Sequence, residues 1–242
     1  MLAGMHRLLL AFAPALIAFA APAYAEDRTF LVTNFDRVRV DGPFEVHVIV
    51  GGGVYGARAS GEGKAIDAID ITVQGSTLIV RKSNRGWGEQ GKSDAPTPIV
   101  YVSVPALLGG GVIGGGKLRI EGKVQSPRLD FQLTGVGAID ARGIEAQDVN
   151  VTLIGNGAVA LAGRSLHARL TTNGNGAISA GGLDVGDLIV RLDGPGATEA
   201  SARYTADLFT AGLGSIAVAG SPKCTVKAPA GGPVACGAGT QP

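Results

Sequence analysis

Charge of either sign is not in excess in this chain. It carries 21 Lys and Arg against 20 Asp and Glu, a formal net charge of +1. Residues 1–25 hold one arginine and no acid, so the remainder is balanced. That excludes a nucleic-acid footprint, which needs a clustered positive excess. Beyond the N-terminal region no segment is long and apolar enough to span a bilayer, and no stretch sustains a helical period. Aromatic residues make up only 5% of the chain, with a single Trp, whereas glycine occurs 39 times. This departs from ordinary globular usage, yet Val, Ile and Leu are too abundant for a disordered chain. The composition indicates an ordered, turn-dense β protein.

The N-terminal residues read as a secretory signal peptide over residues 1–25. His6 and Arg7 form a positive region, Leu8 to Ala21 an apolar stretch, and Ala23-Tyr24-Ala25 a small-x-small cleavage site. The mature chain is expected to begin at Glu26 and to be exported, to the periplasm or beyond it. The only two cysteines, Cys224 and Cys236, lie near the C-terminal end. An oxidising compartment favours a disulfide between them, closing a short loop. The alternatives are free thiols or a metal site; neither His47 nor His167 lies near them in sequence to support the latter.

What the chain does contain is alternation and repetition. Residues 30–82 alternate apolar and polar with period two, through Phe35, Val38 and Val40, then Phe44, Val46, Val48 and Val50. Residues 83–98 break the pattern as a polar, turn-rich surface loop around Trp87. Six Gly-x-Gly pairs follow, at Gly114/Gly116, Gly135/Gly137, Gly155/Gly157, Gly174/Gly176, Gly194/Gly196 and Gly212/Gly214. Their spacing of about twenty residues marks a solenoid, with one coil per repeat.

Counting from the first glycine of each pair aligns the coils. Four residues before it stand Phe131, Val151, Leu170, Val190 and Leu208. Two before stand Leu133, Leu153, Thr172, Leu192 and Thr210. Four after stand Leu118, Ile139, Val159, Ile178, Thr198 and Ile216. Apolar side chains would thus stack in rows inside narrow coils, with glycine at the corners. The predicted fold is all-β, a right-handed parallel β-helix of coils of about 20 residues. It forms one domain over residues 26–223, with a tail at 224–242.

The segment Phe35-x-x-Val38-x-Val40-x-Gly42, the repeated Gly-x-Gly pairs and Gly220-Ser221-Pro222-Lys223 resemble the autotransporter adhesin head GIN domain family. The likeness covers roughly residues 30–223. It implies an extracytoplasmic β-solenoid and adhesion, with no catalytic residues to carry over. The cysteine-bearing tail departs from that pattern.

Other readings of the glycines fail on chemistry. A dinucleotide loop needs a third glycine and a following helix, and neither is present. Calcium along a β-helix needs an aspartate in every repeat; the residue inside successive pairs is Val136, Asn156, Asn175, Pro195 or Leu213. No cofactor or metal is expected. Catalytic carboxylates do not line up either. Asp130 and Asp207 share a row but sit four coils apart, on the order of 19 Å. Asp140 and Glu199 fail similarly, and Asp184 and Asp187 read as neighbours on a turn. His47 and His167 both alternate outward, without a serine or cysteine nucleophile.

The remaining candidate surface is the outward side of the strand before each pair. One row runs Asp130, Asn150, Arg169, Ile189, Asp207, and the next Gln132, Thr152, Thr171, Arg191, Phe209. The ligand-binding candidates are Asp130, Gln132, Asn150, Thr152, Arg169, Thr171 and Arg191, together with Trp87 in the loop; a solvated sheet face and a capping tryptophan are the plain alternatives. The leading expectation is an exported, non-enzymatic module that binds an envelope glycan or protein, with self-association through the solenoid ends as a further option. A polysaccharide lyase or hydrolase, and an accessory or sensor module in envelope signalling, are the competing readings.

Overall fold

A computed structural model describes residues 26–83 and 97–237. The expected signal peptide, and Trp87 with most of its loop, lie outside the described residues. The N-terminal part contains β1 (Glu26–Phe30), β2 (Arg37–Asp41), β3 (Glu45–Val50), β4 (Gly56–Gly61) and a one-turn helix, α1 (Gly63–Asp67). β5 (Ile69–Gln74), β6 (Thr77–Lys82) and β7 (Ile99–Val104) follow. The repeats supply β8 (Gly109–Gly114), β9 (Lys117–Gly122), β10 (Val124–Gly135), β11 (Ala138–Gly155), β12 (Ala158–Asn173), β13 (Ala177–Asp193) and β14 (Ala197–Thr210). The chain ends with β15 (Ser215–Gly220), β16 (Lys223–Lys227) and β17 (Val234–Cys236). Strands of successive coils pair in parallel, as a β-solenoid requires.

The register matches the glycine count. Phe131, Val151, Leu170, Val190 and Leu208 pair in one line, and all are buried. The first five Gly-x-Gly pairs each carry two separate requirements. The first glycine turns the corner: Gly114, Gly135, Gly155, Gly174 and Gly194 have φ from 95° to 118°, where a Cβ is disfavoured. The second makes room for the coil before it. A Cβ on Gly176 would stand 2.7 Å from Leu153 Cδ2, and one on Gly214 would stand 2.8 Å from Leu192 Cδ2. Leucine in one coil therefore fills the space that glycine leaves in the next. Three buried threonines interrupt the apolar interior; Thr172 and Thr198 face each other with hydroxyls 3.5 Å apart, and Thr210 donates to the Gly212 carbonyl.

The stacking order is not the chain order. β2 pairs with β6 on one side and β8 on the other, and β3 likewise with β7 and β9. The first coil in sequence thus lies between two later ones. Residues 105–108 carry the chain past it, with Leu107 buried and the Leu108 N–H donating to the Asp36 carbonyl. Antiparallel strands close this end: β4 on β7, β1 on β4 and β5 on β6, with Ile66 of α1 buried beneath. Among the described residues β1 and β5 each pair with one strand only, so they are the outer strands at this end.

At the other end, the segment expected as a tail continues the stack. β16 pairs with β14 and β17 with β15. Cys224 aligns with Ala206 and Cys236 with Val218, both inward positions, and the two cysteines form a disulfide. The bond joins opposite sides of the last coil among the described residues. No helix among these residues is long and apolar enough to cross a membrane.

Candidate functional site

The strands that precede the Gly-x-Gly corners form one long parallel sheet, and its outward side carries the polar chemistry. Asp130, Asn150, Arg169, Ile189, Asp207 and Thr225 are register partners in one row. Gln132, Thr152, Thr171, Arg191, Phe209 and Lys227 form the next. The sheet after the corner contrasts sharply: Ala138, Ala158, Ala177 and Ala197 align there as a row of small side chains.

A third row, missed by the sequence reading, borders the first. It runs Arg128, Asp148, His167, Asp187, Thr205 and Lys223. The signal was available, because Arg128, Asp148, His167, Asp187 and Thr205 stand seven before a first glycine and continue the alternation of the other two rows. Thr205 donates to Asp187 at 2.6 Å, and His167 Nδ1 lies 3.5 Å from the other Asp187 oxygen. The carboxylate stands between hydroxyl and imidazole, so His167 is not placed to take the hydroxyl proton as it would in a nucleophilic relay. Asp184 and Asp187 both lie in β13, on either side of Gly186; Asp184 pairs with Arg203 at 3.1 Å, whereas Asp187 meets Thr205 and His167. His47 turns outward, 2.8 Å from Glu45 and edge-on to Tyr101.

The first and third rows line a groove of about 560 Å³, bordered by Asp148, Asn150, His167, Arg169, Asp187, Asp207, Lys223 and Thr225. A smaller notch of about 290 Å³ continues it over β8, between Arg37 and Arg39 on one side and Gln132 and Thr152 on the other. Gly109 and Gly111 occupy the outward positions of β8 and leave the notch without side chains on its floor. Across Gly109, Arg37 reaches Asp130 at 3.3 Å although their strands are not adjacent. Among the described residues, no three His, Cys, Asp or Glu side chains converge as a metal site would require.

Asp130 is the hub of this surface. It accepts from Asn150 at 3.0 Å, from Arg128 at 3.3 Å and from Arg37 at 3.3 Å. Burial alone raises its pKa, but the hydrogen bonds from Asn150, Arg128 and Arg37 outweigh burial and hold the carboxyl below its ordinary 3.8. A carboxyl with a lower pKa folded than unfolded adds stability above the unfolded value, and that stability is lost as pH falls through the folded value. Asp130→Asn is therefore expected to flatten the fall in stability below about pH 4, by about 1 kcal/mol or less at this half-exposed site. Urea midpoints measured from neutral to acid pH check this; parallel curves for the two proteins would contradict it.

Register, corner glycines and closed end together define a parallel β-solenoid that presents one polar sheet outward. The chain belongs to the family described as "Putative auto-transporter adhesin, head GIN domain", which matches residues 34–222. Solved structures of the same fold include a putative adhesin from Bacteroides fragilis, with a TM-score of 0.79 and 24% identity, covering 88% of this chain and 97% of that one. A putative lipid binding protein from Parabacteroides distasonis has a TM-score of 0.72 at 16% identity, covering 89% of this chain and 97% of that one. A putative adhesin from the same organism has a TM-score of 0.72 at 15% identity, covering 89% and 98%. At such identities the likeness shows the fold alone. No curated protein matches the chain.

Proposed function

We propose that this chain is an exported, non-catalytic binding module of the cell envelope, and that its outward polar sheet takes an extended glycan. The observation that carries the reading is the groove of about 560 Å³ lined by two of the aligned rows, with the carboxylates of Asp148, Asp187 and Asp207, the Asn150 amide, the Thr205 and Thr225 hydroxyls and the Arg169 guanidinium. Hydrogen-bonding groups repeated at the coil spacing of about 4.8 Å suit a polymer that runs along the solenoid. Arg169 and Arg191, on neighbouring coils, offer donors, and Asn150, Gln132, Thr152 and Thr171 offer both donors and acceptors. The family name and the adhesin-like neighbours agree with attachment rather than turnover.

Titration of the mature chain with envelope polysaccharides tests the proposal. Saturable binding is expected, weakened at least about tenfold in the Asn150→Ala/Arg169→Ala double variant, since a lost neutral hydrogen bond costs about 0.5–1.5 kcal/mol and a lost charged one about 1.5–3 kcal/mol. Binding unchanged in that variant, or no saturable binding, sinks the sheet as the site. A second reading, as a polysaccharide hydrolase or lyase, draws on the gathering of Asp148, Asp187 and Asp207 in one groove. New reducing or unsaturated sugar ends appearing in the same titrations would establish it and overturn the non-catalytic reading.

A further inference from the structure

Around the corner from the polar sheet, a second trough runs along the solenoid axis. Its volume is about 570 Å³, and its walls include Gln125, Glu145, Gln147, Arg164, Leu166 and Arg203. In β10 to β13 a single residue makes this corner: Pro127, Gln147, Leu166 and Gly186 in turn. β14 uses two, Arg203 and Tyr204, between Ala202 and Thr205. The extra residue is a β-bulge, a device that re-aims side chains.

The side chain so aimed is an aromatic ring. Tyr204 is 62% exposed, the most exposed aromatic among the described residues. Beside it Gly186 carries no side chain; a Cβ there would stand 3.5 Å from Tyr204 Cδ2, so the ring lies across the opening that glycine leaves. The Arg203 guanidinium sits 5.4 Å from the ring centroid and is itself held by Asp184 at 3.1 Å. Leu166, 53% exposed, is the apolar residue of the trough wall, two coils from Tyr204. The rest of the trough is polar and braced: Glu145 accepts from Gln125 at 2.9 Å and faces Lys123 at 3.2 Å and Arg164 at 3.3 Å.

An exposed ring beside the Arg203 guanidinium, at the end of a trough lined by amides and a carboxylate, suits a sugar better than a protein. A pyranose has an apolar C–H face for the ring and hydroxyls around its edge for the polar groups. A protein partner would need a broader apolar centre. Its walls come from β10, β11 and β12, with Arg203 of β14 at one end, so it crosses four coil spacings, roughly 19 Å. A trough that crosses successive coils suits an extended chain. We propose that it is a subsite for an extended, β-1,4-linked oligosaccharide, with one pyranose stacked on Tyr204, another two coils away over Leu166, and Glu145 and Arg164 bonded to hydroxyls along the chain.

The proposal deepens the glycan-binding reading and fails separately from it. Calorimetric titration of the mature chain with cellohexaose and with chitohexaose is the test. Saturable binding of at least one is expected, weakened about tenfold by Tyr204→Ala and within about twofold of the parent for Tyr204→Phe, because the ring face and not the hydroxyl makes the contact. Tyr204 is exposed, so a folding defect does not obscure the result, and the phenylalanine variant controls for it. Binding of neither hexasaccharide overturns the subsite. So does binding that Asn150→Ala/Arg169→Ala weakens and Tyr204→Ala leaves intact, an outcome that would spare the polar sheet.

Discussion

The Gly155→Val substitution is expected to lower the stability of the solenoid by on the order of 3–5 kcal/mol, and in the cell to prevent the protein from accumulating. Two costs add. Gly155 has φ of 113°, where side-chain-bearing residues are strained. Its Cβ would stand 2.6 Å from the Gly135 carbonyl oxygen, a backbone atom that cannot swing aside. That carbonyl also accepts the N–H of Asn156, so relief of the clash would break a bond between coils. Gly181→Ala is the contrasting case. A Cβ added at Gly181 would meet no atom within 4 Å, and its φ is not positive, so the substitution is expected to change stability by less than about 1 kcal/mol. Denaturant midpoints of the two variants check the pair; equal, small effects would mean that the corners tolerate side chains and that the repeated glycines have another origin.

Leu153→Ala is expected to cost about 2–5 kcal/mol, the range for a buried leucine whose surroundings cannot collapse. Leu153 is fully buried, between Leu133 and Thr172 in its row. Its Cδ2 fills the space opened by Gly176 in the following coil, and glycine has no side chain with which to close a void. The damage should spread both ways along the axis, because each coil rests on its neighbours. Hydrogen exchange should show protection falling in β11, β12 and β13 together. A loss confined to β11, or below about 1 kcal/mol, would show that the interior relaxes around the cavity.

Much of this architecture was legible because a solenoid converts sequence period into spatial register. Once Gly135, Gly155 and Gly174 are aligned, Phe131, Val151 and Leu170 follow as an inward row, and the structure pairs them so. Asp130, Asn150 and Arg169 fall into line by the same step, although alignment alone says nothing about a ligand. Asp148, His167 and Asp187 stand two residues further from the corner and were passed over. Position in the stack was not legible at all for β2 and β3. Alternation of Val38 with Val40 and Val46 with Val48 marks a strand with one buried side, but does not say which strands flank it. The bulge at Arg203 and Tyr204 was hidden for a similar reason, since an inserted residue at a corner leaves the apolar rows on either side intact.

The position of β2 and β3 bears on how the molecule carries load. A solenoid whose chain order followed its stacking order could be unravelled from either end, one coil at a time, each strand peeling from a single neighbour. Here a pull on the N-terminus strips β1 from β4 and then meets two strands held on both sides, whose bonds must be sheared rather than unzipped. At the opposite end the last coil is stapled by the Cys224–Cys236 bond, which keeps its two sides from separating under tension. Resistance to stretching is thus placed toward the two ends of the described stack rather than in its middle coils.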